Sequence, residues 1–169
     1  VKLTSLIISL SDNNIWPALI LTGIACLLLG MEVPTTAAYV ICVSVAGPAL
    51  VDMGLELLQV HLFVFWFALL STITPPVCGT VFIASGMVSE NWLKVSLTSM
   101  SLGIGLYFIP LAMIANEAII KLDTNFLSSM IAFLKIALSL VMLSYAFIGK
   151  HLIIAKMISF GLGLFVMFI

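Results

Sequence analysis

Two apolar stretches of this chain are interrupted by proline, and both interruptions also carry threonine. The first reads Gly-Met-Glu-Val-Pro-Thr-Thr over residues 30–36, and the second reads Ser-Thr-Ile-Thr-Pro-Pro-Val over residues 71–77. Proline removes a backbone donor and clashes with the preceding turn, so a helix is interrupted at each site. Hydrocarbon tolerates such a break only where protein or a water-filled cavity covers it. A pair of interrupted membrane helices is typical of a transporter's binding site.

The composition indicates that the flanking segments lie in a membrane. Of the 169 residues, 63% are hydrophobic and 8% are charged, whereas soluble domains are roughly half apolar and about a quarter charged. The net charge is −1 and there is no arginine, which excludes the basic surface of a nucleic-acid-binding protein. Cys26, Cys42 and Cys78 lack a CxxC spacing and are expected to pack as small apolar side chains. We therefore predict an all-α integral membrane protein.

Residues 15–56 are predicted to form a re-entrant helical hairpin. Its first arm, residues 15–31, corresponds to about 25 Å of helix, which is short for a hydrocarbon core of about 30 Å. Its second arm, residues 35–51, is followed by charged residues and a glycine, which mark a return to the interface. The hairpin tip, near residues 32–36, is therefore expected inside the membrane.

Residues 57–116 are predicted to contain a broken transmembrane helix and a continuous span. The Thr-Pro-Pro sequence divides the first apolar run into half-helices at residues 58–72 and 77–88. The following span, residues 93–115, is expected to kink at Pro110.

The two ends of the chain are predicted to be membrane segments as well. Residues 1–14 are expected to be the end of a truncated preceding span and a loop. Residues 117–169 are expected to supply two additional C-terminal transmembrane helices, near residues 126–148 and 152–168, after a polar loop.

The two breaks supply groups that could bind a cation and an anionic solute. Half-helix ends leave unpaired backbone groups, with partial positive charge at N-termini and partial negative charge at C-termini. Gly30 ends one arm, Thr35 and Thr36 begin the next, and residues 71–77 add carbonyl and hydroxyl oxygens, which hard cations favour. Taken singly, the prolines could be kinks and the threonines could bond back to the preceding turn. The hypothesis depends on their combination.

Four stretches carry a more specific pattern. They read Leu-Gly-Met-Glu-Val-Pro-Thr-Thr-Ala-Ala-Tyr-Val at 29–40, His-Leu-Phe-Val-Phe at 61–65, Ile-Thr-Pro-Pro-Val at 73–77 and Ala-Ser-Gly at 84–86. Together they resemble the second half of the large membrane subunit of the tripartite ATP-independent periplasmic (TRAP) transporters. The first stretch, with two further spans near the C-terminus, is most similar to the fused type, in which the small and large membrane subunits form one polypeptide.

The resemblance implies a multi-pass permease of the cell (inner) membrane of a prokaryote. Such a permease is an elevator-type secondary transporter built from inverted repeats, of which this chain would supply half and the remaining part of the polypeptide the rest. It would take up organic acids, commonly dicarboxylates, with a sodium or proton gradient and an extracytoplasmic substrate-binding protein. The only bound cofactor that it implies is sodium as a coupling ion.

The resemblance also assigns roles at the two breaks. The sodium ligands, mostly backbone carbonyls, would map to Gly30, Ser71, Thr74 and Val77. The hairpin tip and the substrate side would comprise Glu32, Pro34, Thr35, Thr36, Pro75 and Pro76. The chain departs from its relatives at Ser71, where glycine is frequent, and at Glu32, where glycine is usual. A carboxylate inside the membrane is by default a functional candidate, as proton carrier or cation ligand, unless the tip lies close enough to water to solvate it.

Two other interpretations stay open. Because the binding site of the resembled family lies between two repeats, a chain with one repeat could be an inactive or structural fragment. An intramembrane enzyme is less favoured, since no paired carboxylates, Ser–Lys pair or His–Glu motif stands at helical spacing. We therefore expect no catalytic residues.

Overall fold

The regular elements of the chain are helices. The computed structural model describes residues 2–12, 14–31, 33–120, 126–148 and 153–168. Every regular element within those ranges is helical, which confirms the predicted all-α class. The chain divides into two compact units, Val1–Ser99 and Met100–Ile169.

The first unit contains the predicted hairpin and both halves of the broken helix. Its helices are α1 (Lys2–Leu10), α2 (Ile15–Leu29), α3 (Thr35–Asp52), α4 (Leu57–Leu70), α5 (Gly79–Val88) and α6 (Trp92–Leu102), the last of which crosses the boundary between the units. Local caps fix two of the helix starts. The Asn14 side chain accepts a hydrogen bond from the Trp16 amide before α2, and Glu56 and Gln59 form a capping box at the start of α4.

Small residues allow α2, α3 and α4 to pack closely. A Cβ atom on Gly23 of α2 would lie 3.0 Å from the ring of Phe67 on α4, and that ring packs on Phe63 with centroids 4.8 Å apart. One face of α3 is lined by small buried residues: Ala38, Cys42, Ala46 and Ala49. Such faces let helix backbones approach each other in a membrane. The two hairpin arms and α4 therefore share one core.

Cys26 on α2 and Cys42 on α3 provide a test of how the two hairpin arms pack together. Both are fully buried, and the Cys42 thiol donates to the Cys26 carbonyl oxygen, 3.7 Å away. We expect iodine, a membrane-permeant oxidant, to join them in a disulfide, which removes two hydrogen atoms and protects two thiols from alkylation after unfolding. Peptide mapping by mass spectrometry checks this, and Cys78→Ser should leave the cross-link intact. A disulfide to Cys78 would contradict the arrangement.

The second unit contains α7 (Ile104–Ala115), a 3₁₀ turn (Glu117–Ile119), α8 (Phe126–Ile148) and α9 (Ile153–Phe168). Side-chain hydrogen bonds hold α8 and α9 antiparallel. Ser139 of α8 donates to the Gly163 carbonyl, and Ser159 of α9 donates to the Met142 carbonyl at 2.8 Å. Hydroxyl-to-carbonyl bonds of this kind join helices in membranes, where burial of apolar surface provides no driving force.

Several helices match the dimensions of a bilayer. By length and composition, α3 and α8 could each cross a membrane, and α6 with α7 would provide a third crossing if counted as one bent span, within the described ranges. The helices α2, α4, α5 and α9 are apolar but shorter. Large apolar side chains face outward, among them Leu134 at 60% exposure and Val141 at 66%, as contact with lipid requires. The chain is an integral membrane protein.

The span predicted over residues 93–115 is formed by two helices, α6 and α7, and not by one. The helix stops at Leu102, Gly103 adopts φ −92° and ψ 15°, and α7 begins at Ile104. Glycine favours a break at this position, because it loses more backbone freedom than other residues when a helix forms. Pro110 instead lies inside α7 and is buried.

Candidate functional site

The C-terminal ends of α2 and α4 meet at Gly30 and Ser71. The Ser71 hydroxyl oxygen lies 3.0 Å from the Gly30 carbonyl oxygen, and both residues are buried. A Cβ atom on Gly30 would lie 2.5 Å from Ser71 Oγ and 2.9 Å from Ser71 Cβ, so a larger residue does not fit unless the contact opens. The structure thus brings together one predicted cation-binding residue from each break.

Hydroxyl groups in the segment after α4 pair with the last carbonyls of that helix. Each hydroxyl lies close to the carbonyl oxygen three or four residues earlier: Ser71 to Ala68 at 2.7 Å, Thr72 to Leu69 at 2.8 Å and Thr74 to Leu70 at 2.7 Å. The Thr72 amide bonds to Leu69 at 3.3 Å, not to Ala68 as in a regular α-helix. The Ser71 hydroxyl therefore supplies the donor that Ala68 lacks.

The proline pair accounts for further unpaired carbonyls. Pro75 and Pro76 have no amide hydrogen, so they cannot bond to the carbonyls of Ser71 and Thr72. The Thr72 carbonyl accepts a hydrogen bond from the Thr80 hydroxyl at the start of α5. The Ser71 carbonyl receives no hydrogen bond from any residue that the structure describes. An open carbonyl is the type of group that the sequence assigned to cation binding at this position.

The remaining predicted cation-binding residue, Val77, lies in the connection to α5. This half-helix begins at Gly79, not at residue 77, and Cys78 is its N-cap. Within the described part of the chain, Val77 makes no hydrogen bond to Gly30 or Ser71.

The predicted tip residues lie at the start of α3 or outside the described ranges. Pro34 is the N-cap of α3 and Thr35 is its first residue. Pro34 and Thr36 are exposed. Glu32 lies outside the residues that the structure describes.

Sequence reasoning missed a polar contact between α3 and α4. The hydroxyl oxygen of Tyr39 lies 2.6 Å from His61 Nδ1, and the Tyr39 ring packs edge-on against Phe65 with centroids 5.7 Å apart. Tyr39 and His61 both lie in stretches that carry the family pattern, which is the only sequence feature that could have indicated the contact. The contact ties the second hairpin arm to the broken helix.

The oxygen atoms of the two breaks are the groups available to a cation. Among the described residues, no group of three or more His, Cys, Asp or Glu side chains could hold a metal ion. The helix dipoles add to this arrangement, because α2 and α4 both present their negative C-terminal ends at the contact. Neither helix has a basic residue in its last turn.

A comparison with protein-family models matches most of the sequence to a known family. The model described as "Tripartite ATP-independent periplasmic transporter, DctM component" matches residues 1–126. Comparisons with curated proteins and with solved structures gave no significant match. The matched range contains the Gly30–Ser71 contact and ends at the first residue of α8.

Proposed function

The chain belongs to the family of the DctM component of tripartite ATP-independent periplasmic transporters, and from this we propose that it moves organic acids, such as dicarboxylates, across the inner membrane of a prokaryotic cell. The family consists of transport permeases, so the chain is a TRAP-type permease component. An enzymatic role has no support from this membership.

The Gly30–Ser71 contact is the observation that carries the proposal of a coupling cation. Two negative helix ends converge there without a basic side chain in either last turn, which favours a bound cation. Sodium prefers oxygen ligands, and carbonyls and hydroxyls are the groups present. We therefore favour sodium over the proton as the coupling ion. The candidate ligands are the backbone carbonyls or hydroxyls of Gly30, Ser71, Thr74 and Val77.

The position of the α3 N-terminus supports the proposal that the substrate is an anion. This helix begins at Thr35, directly after Pro34, and its N-terminal end carries partial positive charge. A substrate carboxylate would bind on this side, near the prolines of the second break, Pro75 and Pro76. The cation and the substrate would then lie at helix ends of opposite polarity.

The proposal includes two protein partners. An extracytoplasmic binding protein would deliver the organic acid, and the remaining part of the permease polypeptide would complete the substrate site. We expect proteoliposomes that hold the chain together with this remaining part to accumulate radiolabelled succinate only when the binding protein and an inward sodium gradient are both present. Replacing sodium with choline at constant pH should abolish accumulation. Accumulation that follows the pH gradient alone would assign coupling to the proton, and conversion of succinate would contradict a transport role.

The sequence position of Glu32 gives a separate test of coupling. We expect Glu32→Gln to change the pH or the sodium dependence of uptake, because a carboxylate inside a membrane is costly unless it carries a proton or binds a cation. Initial rates of uptake across a pH and sodium grid provide the measurement. Glu90→Gln is the matched control, since Glu90 is exposed and pairs with Lys94. Identical grids for Glu32→Gln and the parent chain would show that Glu32 has no part in coupling.

A further inference from the structure

The Ser71 hydroxyl serves two carbonyl groups with a single proton. It lies 2.7 Å from the Ala68 oxygen in its own helix and 3.0 Å from the Gly30 oxygen at the end of α2. Ser71 is fully buried, so bulk solvent does not reach its hydroxyl. A serine hydroxyl has one hydrogen and rotates freely between acceptors of this kind.

The Gly30 carbonyl needs a positive partner. It lies at the negative end of α2, opposite the negative end of α4. Its other donor among the described residues is the Val33 amide, at a long 3.4 Å. The Ser71 hydroxyl is therefore the principal group that offsets the repulsion between the two helix ends when no cation is bound.

We propose that the Ser71 hydroxyl competes with the coupling cation for the Gly30 carbonyl and so sets the affinity of the site for sodium. Without sodium, the hydroxyl proton is shared between the Gly30 and Ala68 oxygens, and this hydrogen bond holds the end of the hairpin arm against α4. When sodium binds to the Gly30 carbonyl, the hydroxyl donates to Ala68 alone, whose oxygen already lies 2.7 Å away. This inference rests on the proposed function, because it assumes that sodium binds at Gly30.

The proposed competition predicts the direction in which the sodium affinity changes when the Ser71 hydroxyl is removed. Sodium must displace the Gly30 part of this shared hydrogen bond, while the bond to Ala68 remains, so the hydroxyl should weaken sodium binding about twofold. If Ser71 Oγ were instead a sodium ligand, removing it would weaken binding. The direction of the change in affinity thus separates a competitor from a ligand.

The test uses the full chain in lipid nanodiscs and its thermal stabilisation by sodium, with choline holding the ionic strength constant. We expect Ser71→Ala to lower the half-saturating sodium concentration about twofold. Thr72→Val is the matched control, because the Thr72 hydroxyl pairs with the end of the same helix through Leu69. It should leave the half-saturating concentration unchanged.

Hydrogen exchange gives a second measurement on the same samples. In choline, the amides that follow Gly30 should exchange faster in Ser71→Ala than in the parent chain, and sodium should restore their protection. Ser71→Gly, which also lacks the hydroxyl, repeats both measurements if the alanine variant folds poorly.

The outcomes separate this inference from the proposed function. If the parent chain shows no stabilisation by sodium, the proposed coupling ion is wrong and the competition is excluded with it. If the parent chain responds to sodium but Ser71→Ala has an unchanged or a higher half-saturating concentration, the inference alone is overturned. A fall in that concentration in Thr72→Val equal to that in Ser71→Ala would likewise overturn it, since the effect would not depend on Gly30.

Discussion

Replacing Gly30 with alanine is expected to destabilise the first unit by about 1–3 kcal/mol, the usual effect of overpacking a filled core. The added Cβ atom would lie 2.5 Å from Ser71 Oγ, 2.9 Å from Ser71 Cβ and 3.1 Å from the Cys26 carbonyl oxygen. The end of α2 must then move away from α4, which separates two candidate cation ligands. Unfolding in detergent, followed by circular dichroism, measures the loss, and sodium-driven uptake should fall with it.

A second substitution, at Ser71, should relieve the clash caused by Gly30→Ala. Because two of the three close contacts are to the Ser71 side chain, Ser71→Gly should recover most of the stability lost in Gly30→Ala. Gly79→Ala is the matched control, since a Cβ atom there meets nothing within 4 Å. If the two substitutions in one chain were as unstable as the sum of the single variants, Gly30 and Ser71 would not be coupled as the structure indicates.

A second large effect is expected at Gly163 in the other unit. A Cβ atom on Gly163 would lie 3.3 Å from Leu143 Cγ, from Met142 Cβ and from the Ser139 carbonyl oxygen. Valine adds two more carbon atoms to this contact, so Gly163→Val should force α9 away from α8 and cost about 1–3 kcal/mol. It should also lengthen the hydrogen bond that Ser139 donates to the Gly163 carbonyl. Resistance to unfolding in SDS, followed by circular dichroism, measures the change.

The neighbouring glycine of α9 provides the control for this experiment. A Cβ atom on Gly161 meets nothing within 4 Å, so Gly161→Val changes the composition of the same helix without touching α8. We expect its stability to stay within about 0.5 kcal/mol of the parent chain. Equal losses in the two variants would mean that valine acts through helix preference, not through the α8–α9 contact.

The positions of the two breaks could be predicted because proline acts locally. A missing amide hydrogen and a clash with the preceding turn are properties of one residue and its neighbours. The structure accordingly begins α3 directly after Pro34 and ends α4 before the Pro75–Pro76 pair. The break at Gly103 was not predicted, because a glycine inside an apolar run is compatible with either a continuous or an interrupted helix.

The partners of the candidate site residues required the structure. Ser71 meets Gly30 across 41 residues of chain, and no local pattern specifies such a contact. The pairing of Tyr39 with His61 depends in the same way on how α3 packs against α4. The sequence identified residue types suited to cation binding, whereas their order in space follows from the packing of small side chains between helices. The assigned roles in binding stay predictions.

The hydroxyl groups at the end of α4 also bear on how this segment could move through a membrane. A carbonyl without a protein donor loses its hydrogen bond to water when it enters hydrocarbon and gains no other, so the transfer is costly. The carbonyls of Ala68, Leu69 and Leu70 carry their donors with them, on side chains of the residues that follow. These three carbonyls keep their hydrogen bonds in water and in hydrocarbon alike, which lowers the cost of bringing them into the membrane.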